Sequence, residues 1–161
     1  MGANDIAERY LREAGLARGM RVLDIGSGTG DSALLAARVT APGGRILGIE
    51  CSAEKIAVAQ SRIDALGVTG IELVHDDVTN LPELGGRPFD ALVMKRVLGR
   101  LPDPSAVLRD AAALVRSGGV AIAIEPPEGA ELRQAFLDAG LPAPTLRSER
   151  GLVGAWTQVP D

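Results

Sequence analysis

Short apolar runs alternate with amphipathic stretches along the whole chain, and that alternation narrows the fold more than any other feature. "RVLDI", "GGRILGIE", "IELVHDD", "FDALVMK" and "VAIAIE" read as strands. Between them "DSALLAARV", "SAEKIAVAQSRIDALG" and "DPSAVLRDAAALVRSGG" read as helices. Asp31 stands at the start of the first, Ser52 caps the second and Gly67 ends it. Pro104 sits in the first turn of the third, and its closing glycines read as its end. A helix over Ile6 to Leu16, with Ile6, Tyr10 and Leu11 on one side, precedes the series. "GAELRQAFLDAGL" adds a helix at the other end, and "TLRSE" and "LVGAWTQV" close the chain as β segments around Arg150-Gly151. Strands that are apolar throughout need helices on both faces of a parallel sheet. The last connection is too short for a crossover, so the final strand must run antiparallel. The expected fold is a Rossmann-like, doubly wound α/β sheet of about seven strands, mostly parallel, with an antiparallel last strand.

Composition removes several classes of function. One cysteine, Cys51, allows no internal disulfide, and with a single histidine, His75, no Cys/His metal site can be assembled. No metal is expected. A net charge of −4 with a pI near 5.1 gives no pull toward nucleic acid, and 2% aromatics leaves few platforms for stacking bases. No apolar run approaches the roughly 20 residues of a membrane span. The charged start "MGANDIAERYLREAG" lacks the apolar stretch of a secretory signal, which predicts a cytoplasmic protein.

The first strand hands over to its helix through "GSGTG", with Gly26, Gly28 and Gly30 at alternate positions. In doubly wound sheets, ligands bind beyond the carboxyl ends of the strands where the strand order reverses. A tight strand-to-helix turn also uses glycines without any ligand, so the loop alone is weak evidence. Glu50, the terminal acid of the second strand, strengthens it, because an acid there accepts from both hydroxyls of a ribose. A dinucleotide loop reads G-x-G-x-x-G, and counting from Gly26 its last position is Asp31, an acid that repels pyrophosphate. The spacing found is G-x-G-x-G, preceded by Asp24 inside the strand. The chain also lacks the Tyr-x-x-x-Lys of many nicotinamide dehydrogenases.

"VLDIGSGTG", "GIE", "HDDVTNLP", "FDALVMKRVLGRLPDP" and "LVRSGGVAIAIE", in this order, resemble the successive motifs of class I S-adenosylmethionine-dependent methyltransferases. The similarity is greatest to small-molecule methyltransferases of the ubiquinone/menaquinone type, and it covers about Tyr10 to Gly140. The resemblance implies one domain over 1–161: an N-terminal helix (1–18), a cofactor-binding core (19–125), and a helix plus β-hairpin (126–161). It implies that Gly26, Ser27, Gly28, Thr29 and Gly30 wrap the methionine portion of S-adenosylmethionine, with Asp24 near its ammonium group. Glu50 would take the ribose hydroxyls and Cys51 would lie against the adenine. Asp77 and the Val78 amide would meet the adenine edge, with Asp76 beside them. Met94 and Lys95 would border the sulfonium and the acceptor, and S-adenosylhomocysteine would be the product. A cationic cofactor agrees with acids at these places.

The expected reaction is transfer of a methyl group to a small-molecule acceptor, with no nucleic acid, no membrane span and a homodimer left open. Holding the nucleophile in line is the enzyme's main contribution, and a base is needed only if the acceptor must lose a proton. Catalytic residues stay unassigned, with Lys95, Arg96 and His75 as candidates. Lys95-Arg96 reads either as surface charge or as a lure for an acidic acceptor, and Tyr10 either as core or as a lid. Asp90, at the wrong end of its strand for chemistry, reads as structural. "MKRV" departs from the Asn/Asp-Pro-Pro-aromatic motif of amino methyltransferases, and "LGRLPDP" lacks the histidines of "LHHLPDP". In "EPPEGAE" the chain passes straight from the fifth strand to a helix, where relatives carry a helical cap over the acceptor. A minimal enzyme, a site completed by a partner or dimer mate, and an engineered loss of the cap all remain open. Two other classes of function compete: a cofactor-binding module without efficient turnover, and a non-methylating enzyme that uses the same cofactor.

Overall fold

Every strand of the core alternates its side chains between two apolar layers, as a sheet covered on both faces requires. The structure, a computed structural model, describes residues 1–84, 86–127 and 131–161. Seven strands, β1 (Arg21–Ile25), β2 (Arg45–Glu50), β3 (Ile71–His75), β4 (Phe89–Lys95), β5 (Val115–Glu125), β6 (Thr145–Glu149) and β7 (Leu152–Gln158), form one sheet in the order β3-β2-β1-β4-β5-β7-β6. β1 to β5 pair in parallel, and β7 runs antiparallel between β5 and β6. The hairpin joining β6 to β7 turns at Arg150 (φ 46°) and Gly151 (φ 80°), the pair of positive φ values a tight two-residue turn demands. The sheet is therefore the doubly wound one read from the sequence.

Among the described residues five helices cover it: α1 (Ala3–Glu13), α2 (Asp31–Thr40), α3 (Ala53–Leu66), α4 (Pro104–Ala112) and α5 (Leu132–Asp138). Val22, Ala91, Val93, Ile122 and Ile124 point to the layer shared with α1 and α2. Leu23, Ile25, Leu92, Met94, Ala121 and Ala123 point to the layer shared with α4 and α5. Tyr10 is buried among the first set, its ring 5.9 Å from that of Trp156 on β7, so of its two readings the core one holds. Among the described residues no helix is long and apolar enough to cross a membrane.

Local signals place the ends of α3: the Ser52 side chain accepts from the Lys55 amide, and Gly67 closes the helix at φ 64°. The end of α4 departs from the sequence reading. "LVRSGG" reads as its last turn, yet the helix stops at Ala112 and Val115 already pairs with Phe89 of β4. The register then slips, so that Ala91 faces Val120. Gly118 has φ 75°, and a Cβ on Gly119 would lie 2.5 Å from the Asp90 carbonyl oxygen. These glycines permit a bulge, which is their other common use beside ending a helix. Asp90 accepts from the Arg21 amide and pairs with Arg116 at the far end of the sheet, which fits its structural reading. The start expected for the last helix, Gly129 and Ala130, lies outside the described residues, as does the middle of "EPPEGAE".

Candidate functional site

The sheet order reverses between β1 and β4, and a cavity of about 720 Å³ opens above that point at the strands' carboxyl ends. Its floor is the loop after β1. Gly26 and Ser27 donate their amides to the Ile49 carbonyl of β2 at 2.8 and 3.2 Å, and the Gly28 amide donates to Glu50 Oε1 at 3.0 Å. All three loop glycines have positive φ, at 69°, 55° and 98°. They do not share one purpose. A Cβ on Gly26 would stand 2.6 Å from a methyl of Val97, and one on Gly30 would stand 3.1 Å from the Ala59 Cβ of α3. Only at Gly28 is the space above the backbone open, with no atom nearer than 3.9 Å. The outer glycines admit neighbouring elements of the protein itself, and the middle one faces the cavity.

Beneath the loop are two polar side chains short of partners. Asp24 is fully buried; its Oδ2 accepts from Ser32 Oγ at 2.8 Å, while its Oδ1 has no partner. Burial pushes its pKa up to about 7, against the opposing pull of the Ser32 hydrogen bond and the Lys95 charge. Ser27, a residue of the cavity wall, is also buried, and its Oγ, packed beside Gly48 of β2, has no partner either. Buried polar groups are almost always satisfied, so two unsatisfied ones in and just behind one cavity wall stand out. Glu50 lines the same cavity. Oε1 takes the Gly28 amide, Oε2 takes the Ser52 amide at 2.9 Å, and each oxygen has a second lone pair beyond that bond.

The structure sorts the other residues picked from the sequence. Thr29, Cys51, Asp77, Val78, Lys95 and Arg96 all line the cavity, Asp77 with its carboxylate accepting the Thr79 amide at 2.9 Å. Gly30 and Asp24 stand just behind the wall. His75, Asp76 and Met94 do not reach it. The His75 ring is exposed and donates from Nε2 to the Cys51 carbonyl at 2.9 Å, which leaves it outside the site as a base. Asp76 turns to the Asp77 amide and the Asn80 side chain, at 2.7 and 2.6 Å. Met94 alternates into the layer of α4 and α5 and is fully buried there, so only its neighbour Lys95 borders the cavity.

Sequence reasoning missed what holds the far wall. Glu125, the last residue of β5, is buried, and its Oε1 accepts the amides of Val97 and Leu98 at 2.9 Å each. Burial raises its pKa, with the two amides pulling the other way. The signal was there: "VAIAIE" ends in an acid just as "GRILGIE" does. With the Arg96 amide bound to the Ile124 carbonyl at 2.9 Å, this anchors the segment after β4 while Arg96 sits at φ 58°. A short 3-10 turn (Leu98–Arg100) then brings Arg100, also missed, to the cavity. Among the described residues, no group of three or more His, Cys, Asp or Glu side chains is placed to hold a metal ion.

The pattern of a family described as "Methyltransferase domain" matches residues 16–147. The chain is 32% identical to an arsenite methyltransferase of Aquipseudomonas alcaligenes over 125 residues, 71% of this chain and 36% of that protein. It is 27% identical to a demethylmenaquinone methyltransferase of Geobacillus kaustophilus over 118 residues, 73% of this chain and 50% of that protein. The matches thus span half or less of these relatives' length. Among solved structures, a SAM-dependent methyltransferase from Aquifex aeolicus superposes with a TM-score of 0.81 at 22% identity, over 94% of this chain and 88% of that one. That likeness establishes the fold.

Proposed function

Because the chain belongs to the methyltransferase-domain family, we propose that it binds S-adenosylmethionine in the cavity above β1 and β4 and transfers its methyl group to a small-molecule acceptor. The observation that carries this reading is the unpartnered pair Asp24 Oδ1 and Ser27 Oγ beside an open Gly28 backbone, with Glu50 on the same wall. A zwitterion with an ammonium group suits the buried acid, and a ribose suits the free lone pairs of Glu50. Gly26 to Thr29 would hold the amino-acid end, with Asp77 and Val78 at the base and Cys51 beside it.

When bound, the cofactor supplies a methyl carbon already activated by a sulfonium. What the chain supplies is position and charge. The loop after β1 bounds one side, the segment after β4 fixes the other, and between them an acceptor atom is held in line. None of the described groups on the cavity wall is a histidine, so an acceptor that enters as its own nucleophile suits the site best.

Isothermal titration with S-adenosylmethionine, S-adenosylhomocysteine and NAD tests the reading. Micromolar binding of both adenosyl ligands without NAD binding is expected, and Glu50→Ala is expected to weaken both by about tenfold or more. An unchanged dissociation constant in that variant removes Glu50 from the site, and no adenosyl binding at all removes the proposal.

A further inference from the structure

The cavity wall divides its charges unevenly. Four of its acids are committed to the protein: Asp31 pairs with Arg62 at 2.8 Å, Glu50 takes two amides, Asp77 takes the Thr79 amide, and Asp103 takes the Ala106 amide at the start of α4. Asp110 is the exception. The cations on the segment after β4 are uncommitted. Among the described residues, Lys95, Arg96 and Arg100 have no carboxylate within ion-pair distance, although all three line the same cavity. The charge of that segment is positive, while the cavity wall as a whole also carries Lys55 and the five acids just named.

The segment that carries them is built to stay still. Arg96 holds a left-handed backbone conformation that a non-glycine residue adopts at a cost of roughly 1 kcal/mol or more. Its amide is bound to β5, the next two amides are bound by buried Glu125, and Leu98 is buried beneath. Two exposed guanidinium groups therefore leave from a fixed backbone, and half-buried Lys95 sits deeper between them and Asp24. Beside them the wall is apolar, from Val97, Leu101, Pro102 and Val107. Guanidinium forks match the oxygens of a carboxylate or a phosphate in pairs, and a flat apolar wall suits the body of such a molecule.

We propose that the acceptor is an organic anion, its carboxylate or phosphate received by Arg96 and Arg100 at the mouth of the cavity and its apolar body lying along Val97, Leu101 and Val107. The proposal rests on the methyltransferase reading, of which it names the acceptor class. It also assigns a purpose to Glu125: as a positioning residue, it fixes the backbone from which the two arginines reach.

The test uses protein saturated with S-adenosylhomocysteine and three probes of one size, namely benzoate, phenyl phosphate and benzamide, followed by ligand-detected NMR. At least one anion is expected to bind with a millimolar Kd, and benzamide about tenfold more weakly or not at all. Whichever anion binds more tightly names the head group. The double variant Arg96→Gln/Arg100→Gln is expected to lose about tenfold in anion affinity while its Kd for S-adenosylhomocysteine moves by less than about threefold. Equal binding of benzamide and the anions, no binding of either anion, or undiminished anion binding in the double variant each overturns the proposal. If wild-type protein fails to bind S-adenosylhomocysteine, the methyltransferase reading falls instead, so the two failures are told apart.

Discussion

The loop after β1 and the segment after β4 face each other across one cavity and are made in opposite ways. The first is backbone: three glycines at positive φ, amides turned onto β2, and a buried acid left half satisfied beneath. The second is side chain: two arginines, a lysine and a valine on a backbone that needs an acid from β5 to keep its shape. A backbone floor admits a ligand closely but distinguishes it only through the few acids around it. A side-chain wall can be changed one residue at a time without disturbing that floor. The difference suits the proposed division of the cavity between a cofactor on one side and an acceptor on the other.

The largest expected effect lies in the first region. In the ligand-free protein Asp24 keeps its proton up to about pH 7, while in the unfolded chain it ionises near 3.8. Between those values the unfolded state releases its proton first, so stability falls as pH rises from about 4 and levels off above about 7. The total is about 4 kcal/mol, from the three or so pH units spanned at 1.36 kcal/mol each. Asp24→Asn, neutral throughout, is expected to remove the part of that slope due to Asp24, leaving the part from Glu125, and to be the more stable protein at pH 8, as read from urea midpoints at several pH values. It is expected to bind S-adenosylmethionine more weakly, and the wild-type affinity is expected to rise as pH climbs through about 7. A wild-type protein without that loss of stability would mean that Asp24 is ionised without a ligand, and the contrast between the two walls would lose its main support.

The next effect tests whether the two regions are separate at all. Gly26→Ala puts a Cβ 2.6 Å from Val97 Cγ2 and strains a φ of 69°, and is expected to destabilise the fold by about 3 kcal/mol. Val97→Ala opens the space, so the double variant is expected to recover about 1 kcal/mol or more relative to the sum of the single ones. Strict additivity would show the two walls independent, and the loss at Gly26 would then be backbone strain alone.

Glu125→Ala comes third. Removing the carboxylate leaves two buried or half-buried amides without an acceptor, at an expected cost of about 2 kcal/mol, and Glu125→Gln, which keeps one acceptor oxygen, is expected to restore most of it. S-adenosylhomocysteine affinity is expected to hold while anion affinity falls, which a role confined to stability would not produce. A fall in both would make Glu125 part of the cofactor floor as well.

The same contrast explains what could be read from the sequence. Strands that are apolar on both faces announce a covered parallel sheet, and "DIGSGTG" followed by "GIE" announces the floor, because backbone geometry forces residue types onto the chain. The wall after β4 imposes no such requirement. Nothing in "MKRVLGR" says that Arg96 adopts a left-handed conformation or that Arg100 borders the cavity, since the segment is anchored at Glu125, distant in sequence. His75 and Asp76 misled for a related reason. His75 ends β3 and Asp76 follows it, at a strand end where functional residues gather, but their side chains turn to the Cys51 carbonyl and to Asn80. "LVRSGG" shows the limit of glycine as punctuation, because a helix end and a bulge both call for it.

The smallest effect supplies the control for both regions. Tyr10 lies on the α1 face of the sheet, away from the cavity wall, and its buried hydroxyl has no partner. A Cβ on Gly154 would meet its ring at 2.6 Å, so the ring is packed tightly where it stands. Tyr10→Phe keeps that packing and removes only the unsatisfied oxygen, and an increase in stability of about 1 kcal/mol is expected, seen as a higher urea midpoint at an unchanged slope. Adenosyl and anion affinities are expected to stay at wild-type values. A lid residue would behave otherwise: its loss would weaken cofactor binding with little change in stability. The Phe variant therefore separates the unsatisfied polar groups proposed to receive a ligand, Asp24 and Ser27, from one that is only a consequence of close packing.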